Sequence, residues 1–216
     1  MLYRALDAQP PRFAHVPLIL GTDGKRLSKR HGATAVQEYE QKGILPEAMF
    51  NFLALLGWNP GDEQEIMSVA ELVERFSLER VNRKSAVFDP EKLEWMNGQH
   101  ISRLSGEALL PLVTPRLEAA GLVTTEEITS RRAWFAELLD LLKPRARTLD
   151  GFAGQARAYL APSVEYEEAA VAKHWKEPAE AIRRLEAVRS VLAEVEPWAP
   201  SAVEQALRQA AEGMGE

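Results

Sequence analysis

Apolar side chains recur at helical spacing along most of this chain, and only one short segment has the composition of a strand. Residues 16–20, Val-Pro-Leu-Ile-Leu, predict a short buried strand that runs into the turn Gly21-Thr22-Asp23-Gly24. Helices are predicted over residues 33–41, 46–56, 68–76, 89–96, 106–120, 129–142, 149–159, 178–195 and 201–211. The pattern therefore predicts a mainly α protein, with only helices and turns after about Ser105.

Several helix ends carry local signals. Pro46 suits the first turn of a helix, because its missing N–H would have no partner there. Ser68 and Glu71 have the spacing of a capping box, in which each residue satisfies a free N–H of the other. Asp89 predicts the start of a further helix, and Asn97-Gly98 predicts that this helix ends at Met96.

Composition changes between Gln99 and Ser105, where the chain becomes rich in Ala, Leu, Glu and Arg. We therefore place a candidate domain boundary there, which separates a last region of helices and turns from the rest of the chain. The predicted helix breakers within the last region are Pro144, Pro162 and Pro197.

Two apolar patterns indicate buried faces. The helix over residues 46–56 is apolar on nearly every side, which predicts burial all round. For Trp95, and for the helically spaced stripe of residues 134–142, core packing is favoured over base stacking. The members of this stripe are Trp134, Phe135, Leu138, Leu139, Leu141 and Leu142.

Composition limits the classes of function. The chain has 216 residues, of which 46% are hydrophobic and 27% charged, so it can form a core. It has no cysteine, which excludes disulfide scaffolds and thiol catalysis within this chain. The sequence also has no apolar run long enough for a membrane span and no signal-type segment near Met1, so we expect a cytoplasmic protein without a membrane partner.

The net charge of −6 does not exclude a nucleic-acid partner, because basic residues are clustered and phosphate binding depends on local charge. The three clusters lie within residues 25–30, 80–84 and 143–147. The first follows the predicted strand and turn and reads Lys-Arg-Leu-Ser-Lys-Arg. A loop with several cations and one hydroxyl suits a polyphosphate, although it lacks the glycine spacing of a P-loop, and an exposed basic loop is the simpler alternative.

Other catalytic patterns are missing from the sequence. The four histidines, at positions 15, 31, 100 and 174, do not have metal-ligand spacing, so no metal site is predicted. Arg145 and Arg147 follow a predicted buried helix, and Pro144 forces a turn there. These arginines suit contacts to a base edge or to phosphates, and neutralisation of the helix dipole by Lys143 and Arg145 is an equally favoured reading.

The basic loop and several segments that flank it resemble a known protein family. Arg26-Leu27-Ser28-Lys29-Arg30 resembles the KMSKS loop, the second signature of class I aminoacyl-tRNA synthetases. The flanking segments resemble bacterial glutamyl-tRNA synthetase, in order along roughly residues 10 to 160. They include Arg30-His-Gly-Ala33, Gly43-Ile-Leu-Pro-Glu-Ala48, Leu56-Gly-Trp58, Val87-Phe-Asp-Pro-Glu-Lys-Leu-Glu-Trp-Met-Asn-Gly98 and Lys143-Pro-Arg-Ala-Arg-Thr-Leu149.

The resemblance implies a fold and an activity. Residues 1–34 would be the end of a Rossmann-type catalytic domain with the KMSKS-type loop, residues 35–104 a helical region that contacts the tRNA stem, and residues 105–216 an incomplete α-helical anticodon-binding domain. Such enzymes use ATP, with the magnesium ion that accompanies the nucleotide, to activate glutamate, and then transfer it to the 3′ end of tRNA-Glu. The implied partners are therefore tRNA-Glu, ATP and glutamate, and we expect a monomer.

Functional residues follow from the resemblance position by position. Lys29 would be the catalytic lysine that contacts the ATP phosphates, within an ATP-binding loop formed by Arg26, Leu27, Ser28, Lys29 and Arg30. Arg145 matches the arginine that reads the third anticodon nucleotide, although Ala146 beside it departs from the family pattern. The full set of predicted tRNA-binding residues is Arg83, Lys84, Lys92, Arg145 and Arg147.

The first class I signature, His-x-Gly-His, is not in this sequence. We therefore expect a C-terminal-side fragment that does not form glutamyl-adenylate alone. The alternative is a non-catalytic tRNA- or RNA-binding helical adaptor derived from such a synthetase. A glutaminyl-tRNA synthetase is disfavoured because its anticodon module is a β-barrel and strand patterns are missing after Ser105. A helical bundle without a nucleic-acid role would leave the basic loop unexplained.

Overall fold

The computed structural model describes residues 2–28, 35–163 and 166–214. These residues form two compact units, one within residues 1–162 and the other within residues 163–216. Our predicted functional boundaries at 34/35 and 104/105 stay predictions.

The first unit is mainly helical, as predicted. Its short strands are β1 (Ile19–Leu20) and β2 (Ala86–Val87). Single 3-10 turns lie at Leu78–Arg80 and Lys143–Arg145. The helices are α1 (Leu2–Ala5), α2 (Val36–Gln41), α3 (Pro46–Gly57), α4 (Val69–Arg75), α5 (Pro90–Arg103), α6 (Gly106–Ala119), α7 (Thr125–Ser130), α8 (Arg132–Leu142) and α9 (Gly151–Leu160).

The largest core lies where α6, α8 and α9 pack together. Phe135 of α8 and Phe152 of α9 are buried there beside the apolar face of α6. Helices α6 and α8 approach closely at Gly106, where a Cβ atom would come within 1.9 Å of the Ala136 carbonyl oxygen. Leu45 and Ile101 extend the same core to α3 and α5. The helical bundle is therefore continuous with the segments that precede it.

A second core lies between α3, α5 and β2. The Phe52 and Phe88 rings meet edge to face at a centroid distance of 5.0 Å. Trp95 is half-buried against this cluster, which confirms its predicted packing role. The prediction that α3 is buried all round is wrong, because Phe50 and Leu53 are exposed on the side of the helix that no described element covers.

Strand β1 pairs in parallel with β2, with Ile19 opposite Ala86 and Leu20 opposite Val87. The predicted buried strand over residues 16–20 is therefore shortened to two residues. Val16 and Leu18 are exposed, because this ribbon of two strands offers few neighbours to cover them.

Two helix predictions are corrected. The helix expected to end at Met96 continues through Asn97-Gly98 to Arg103. The single helix predicted over residues 129–142 is two helices, α7 and α8, which meet at Arg131 with φ −123° and ψ 32°. A capping box of Thr124 and Glu127 starts α7 earlier than predicted.

Other helices lie close to their predicted bounds. The capping box of Ser68 and Glu71 forms at the start of α4, and Pro46 is the first residue of α3. The predicted start of the helix over residues 33–41 lies outside the described residues, and its described part is α2.

The second unit contains α10 (Glu168–His174), which was not predicted, α11 (Pro178–Ala193) and α12 (Pro200–Gly213). Helices α11 and α12 pack against each other. Hydrogen bonds from Arg183 and Arg184 lower the pKa of Glu180 to about 2. In the described parts of both units, none of the helices is long and apolar enough to cross a membrane.

Candidate functional site

The basic segment after β1 is a tight hairpin. Its strands are joined by an antiparallel bridge between Leu20 and Arg26, and the Leu27 N–H donates to the Ile19 carbonyl at 2.9 Å. At its tip the Gly21 N–H donates to the Lys25 carbonyl at 2.8 Å. Local hydrogen bonds therefore hold this hairpin in shape as far as Leu27.

The predicted ATP-binding residues of the hairpin differ in how exposed their side chains are. The side chains of Arg26 and Ser28 are exposed. Leu27 is half-buried and packs against the core between α3 and α5, so its side chain anchors the loop. Lys29 and Arg30 lie outside the described residues, and their predicted phosphate contacts stay predictions.

Arg83 and Lys84 form an exposed basic pair that is separated from β2 by one residue. They line a surface hollow of about 530 Å³ together with Leu55 and Leu56 of α3. Because β2 is paired to β1, this hollow lies on the same small ribbon from which the basic hairpin projects.

Lys92 is already engaged. Its ammonium group forms an ion pair with the Glu65 carboxylate, and both side chains are partly exposed. In the same region the Arg80 guanidinium donates to the Pro60 carbonyl. Lys92 and Arg80 therefore already have partners within the protein. For Arg83 and Lys84, no ion pair is seen in the described part of the chain.

Arg145 and Arg147 lie on a segment that we call the arginine loop, residues 143–149. It begins with the 3-10 turn that continues α8. Both arginines are exposed, whereas Ala146 between them is buried in the core of the helical bundle. Within the described residues neither guanidinium has a carboxylate partner. The buried alanine thus holds the backbone while both cations face outward.

Lys143, the third cation of this cluster, is engaged differently. Its ammonium group donates to the Asp140 carboxylate at 2.6 Å and to the Leu104 carbonyl at 2.8 Å. Lys143 therefore ties the end of α8 to the junction between α5 and α6. Arg145 and Arg147 are the two cations of the cluster that remain directed to solvent.

The predicted apolar stripe of α8 is only partly buried. Phe135, Leu138, Leu139 and Leu142 lie in the core, but Trp134 and Leu141 are exposed at 37% and 61%. The Arg131 guanidinium lies 4.2 Å from the centre of the Trp134 ring. The core-packing prediction is therefore wrong for Trp134 and Leu141, because the stripe is wider than the face that α6 and α9 cover.

His100 is a buried histidine with a structural role. Its Nε2 lies 3.0 Å from Oδ1 of Asn51, which also accepts from the Met67 N–H at 2.9 Å. Burial lowers the pKa of His100, and the charge of Arg103 lowers it further. Among the described residues, no group of three His, Asp or Glu side chains could hold a metal ion.

Two family models match this chain. Residues 1–95 match the catalytic domain of class I tRNA synthetases for E and Q. Residues 102–216, more than half of the chain, match an anticodon-binding domain. The gap between the two matches, residues 96–101, lies within α5.

Similar proteins cover the whole chain. A glutamate–tRNA ligase of Nitratidesulfovibrio vulgaris is 45% identical over an alignment of 217 residues, which covers 100% of this chain and 45% of that protein. One from Moorella thermoacetica is 39% identical over 215 residues, which are 100% of this chain and 44% of that protein. The chain thus spans somewhat less than half the length of these relatives.

Solved structures agree with the sequence relatives. The crystal structure of a glutamate–tRNA ligase from Elizabethkingia meningosepticum, in complex with its amino acid, has a TM-score of 0.80 and 28% identity. The match covers 99% of this chain and 44% of that one. The chain therefore belongs to the anticodon-binding domain family over its C-terminal half, and it is a homologue of the class I glutamate–tRNA ligases along its whole length.

Proposed function

We propose that this chain supplies the ATP-phosphate loop and tRNA-binding surfaces of a glutamate–tRNA ligase. The observation that carries the proposal is the exposed pair Arg145 and Arg147, on a loop fixed by buried Ala146, inside the part that matches an anticodon-binding domain. Homology to glutamate–tRNA ligases along the whole chain supports the choice of substrate.

In the proposed reaction, a glutamate carboxylate oxygen attacks the α-phosphorus of ATP, and pyrophosphate leaves. Negative charge then builds on the departing phosphates, where nearby cations stabilise it. Lys29, Arg30 and Arg26 would provide the positive charge that stabilises the departing phosphates, and Ser28 would donate a hydrogen bond to them. The exposed positions of Arg26 and Ser28 on the hairpin are compatible with a ligand as large as a triphosphate. Magnesium would arrive with the nucleotide.

Lys29→Ala tests the phosphate loop. In an enzyme that joins this chain to an N-terminal half bearing His-x-Gly-His, the substitution should lower the rate of glutamate-dependent pyrophosphate exchange by about two to three orders of magnitude, as for one lost transition-state donor. Binding of tRNA should change little, because Lys29 is assigned to ATP. An equal loss of tRNA affinity would contradict the assignment. The 216-residue chain by itself is expected to show no exchange.

Arg145→Gln tests the anticodon contact. It should reduce discrimination at one anticodon nucleotide by about 1–3 kcal/mol, the usual worth of a bidentate base contact. Arg132→Gln is the matched control: Arg132 is an exposed arginine of the same domain, but it is paired with Glu107 at 2.6 Å. Both changes remove one positive charge, so a loss that is equal in the two variants would indicate general electrostatics instead of base recognition.

The alternative function is a non-catalytic tRNA- or RNA-binding helical adaptor. Arg145 and Arg147 favour this alternative, because both are exposed and could contact RNA without the basic hairpin. The joined enzyme separates the two proposals. Specific binding of tRNA-Glu without any pyrophosphate exchange would favour the adaptor, whereas exchange that depends on Lys29 would favour the ligase.

A further inference from the structure

Asn97 is a fully buried polar residue in the middle of α5, and its amide group contacts two distant segments. Its Oδ1 accepts from the Leu45 N–H at 2.8 Å. Its Nδ2 donates to the Arg147 carbonyl at 2.7 Å and to the Gly43 carbonyl at 3.2 Å. One side chain therefore connects α5, the turn before α3 and the arginine loop.

The chemistry of these three contacts fixes the orientation of the amide. The oxygen faces a donor and the nitrogen faces two acceptors. A flipped amide would therefore place its NH₂ group against an N–H and its oxygen against two carbonyl oxygens. An aspartate, which has acceptors only, would oppose two carbonyl oxygens. The site therefore fits an amide and not a carboxylate.

Neighbouring contacts hold the arginine loop at the same place. The Leu149 N–H donates to the Gly43 carbonyl at 3.0 Å, so Gly43 receives hydrogen bonds from both Asn97 and the loop. Gly98 permits the close approach: a Cβ atom there would lie 3.0 Å from the Ala146 carbonyl oxygen and 3.3 Å from Cδ of Arg147. The loop backbone is thus held by hydrogen bonds to Asn97 and Gly43 and by direct packing against Gly98.

We propose that Asn97 is a positioning residue for anticodon recognition, which holds the arginine loop so that Arg145 and Arg147 meet the RNA in one fixed geometry. This inference rests on the proposed function. Asn97 itself does not contact the RNA, because its side chain is fully buried. It acts through the two arginines, and its loss should affect how well they distinguish nucleotides more than how well they attract phosphate.

The test measures a ratio of affinities. The probes are a labelled hairpin with the anticodon stem-loop of tRNA-Glu and the same hairpin with its third anticodon nucleotide changed. Fluorescence anisotropy at one fixed salt concentration gives both dissociation constants for the full 216-residue chain. We expect Asn97→Ala to reduce the ratio by about 10-fold, since small misplacements of positioned groups have large effects.

Asn51→Ala is the matched control. Asn51 is also an asparagine with 0% exposure, and its Oδ1 accepts from the Met67 N–H and lies 3.0 Å from Nε2 of His100, so its contacts are outside the arginine loop. It should leave the affinity ratio unchanged. A reduction equal to that of Asn97→Ala would mean that loss of any buried amide has this effect, which would overturn the inference.

Gly98→Ala keeps the test decisive if Asn97→Ala does not fold. It retains the amide and pushes the loop through the contact with Ala146, so it should also lower the ratio. Adding Asn97→Ala to the double variant Arg145→Gln/Arg147→Gln should lower discrimination no further, because Asn97 acts through these two arginines.

The outcomes separate the inference from the proposed function. If the wild-type chain discriminates, Arg145→Gln lowers the ratio and a folded Asn97→Ala or Gly98→Ala variant leaves the ratio unchanged, only the inference fails. If the wild-type chain binds both hairpins equally, the anticodon-reading role of Arg145 fails, and the inference fails with it.

Discussion

Gly43→Ala should destabilise the protein much more than Gly121→Ala, although the two glycines end their helices in the same way. Gly43 follows α2 with φ +75°, and Gly121 follows α6 with φ +66°. In both turns the glycine N–H donates at 2.9 Å to the carbonyl three residues earlier, and the next N–H donates at 3.0 Å to the carbonyl five residues earlier. This is the Schellman arrangement, so the local cost of adding a methyl group should be similar.

The surroundings of the two glycines differ. An added Cβ at Gly43 would lie 2.7 Å from the backbone nitrogen of Leu149 and 2.9 Å from that of Asp150. At Gly121 nothing lies within 4 Å of the added atom. The left-handed backbone costs both variants about 1–2 kcal/mol. The close contact should add about 1–3 kcal/mol at Gly43 only, because backbone atoms cannot rotate away as a side chain does.

Urea unfolding at 25 °C, followed by tryptophan fluorescence, measures this difference. Both glycines lie in the compact unit of residues 1–162, so they report on the same transition. We expect the midpoint for Gly43→Ala to fall well below that for Gly121→Ala with a similar urea dependence. Free energies of unfolding that agree within about 0.5 kcal/mol would refute the reasoning, since the contact with Leu149 would then carry no cost.

Two further predictions concern stability. Because burial and the Arg103 charge lower the pKa of His100 below 6.5, the unfolded chain binds this proton more readily, and the free energy of unfolding should fall as the pH drops below that value. His100→Gln should make the free energy of unfolding depend less on pH between about pH 7.5 and 5.5 than His15→Gln does, since His15 is exposed and serves as the control. Urea titrations that give the same pH dependence for both variants would contradict this. Phe135→Ala should cost about 3–5 kcal/mol, whereas Trp134→Ala should cost less despite the larger side chain, because Phe135 is 2% exposed and Trp134 is 37% exposed. The same titration measures both, and the reverse order would show that the stack with Arg131 outweighs burial.

Helix ends could be predicted where their hydrogen bonds are local. Ser68 and Glu71 lie three residues apart and form the predicted capping box, and Pro46 begins α3 as expected. These contacts close within one turn, so the sequence around them contains all the partners. The core stripe of α8 was predicted less well, because how much of it is covered depends on the width of contact with α6 and α9, which a single helix does not specify.

Asn97-Gly98 shows why a local signal can fail. The pair is typical of a turn, yet α5 continues through it to Arg103. The amide of Asn97 finds its partners in residues 43–45 and 147, about fifty positions away in each direction. Gly98 is needed for the close approach to Ala146. A residue type that usually breaks a helix is here required by tertiary contacts, and the sequence pattern alone does not contain them.

The same reasoning applies to the candidate site. Lys143, Arg145 and Arg147 form one basic cluster in the sequence, but only the arginines are directed to solvent, because Lys143 meets Asp140 and the distant Leu104 carbonyl. Lys92 is likewise engaged by Glu65, 27 residues away. Counting cations therefore predicts where a nucleic acid can be attracted, and it does not predict which cations read it. Carboxylates engage Lys143 and Lys92. Under the proposed function, the amide of Asn97 and the bare Cα of Gly98 fix the backbone of the two arginines that would read the RNA.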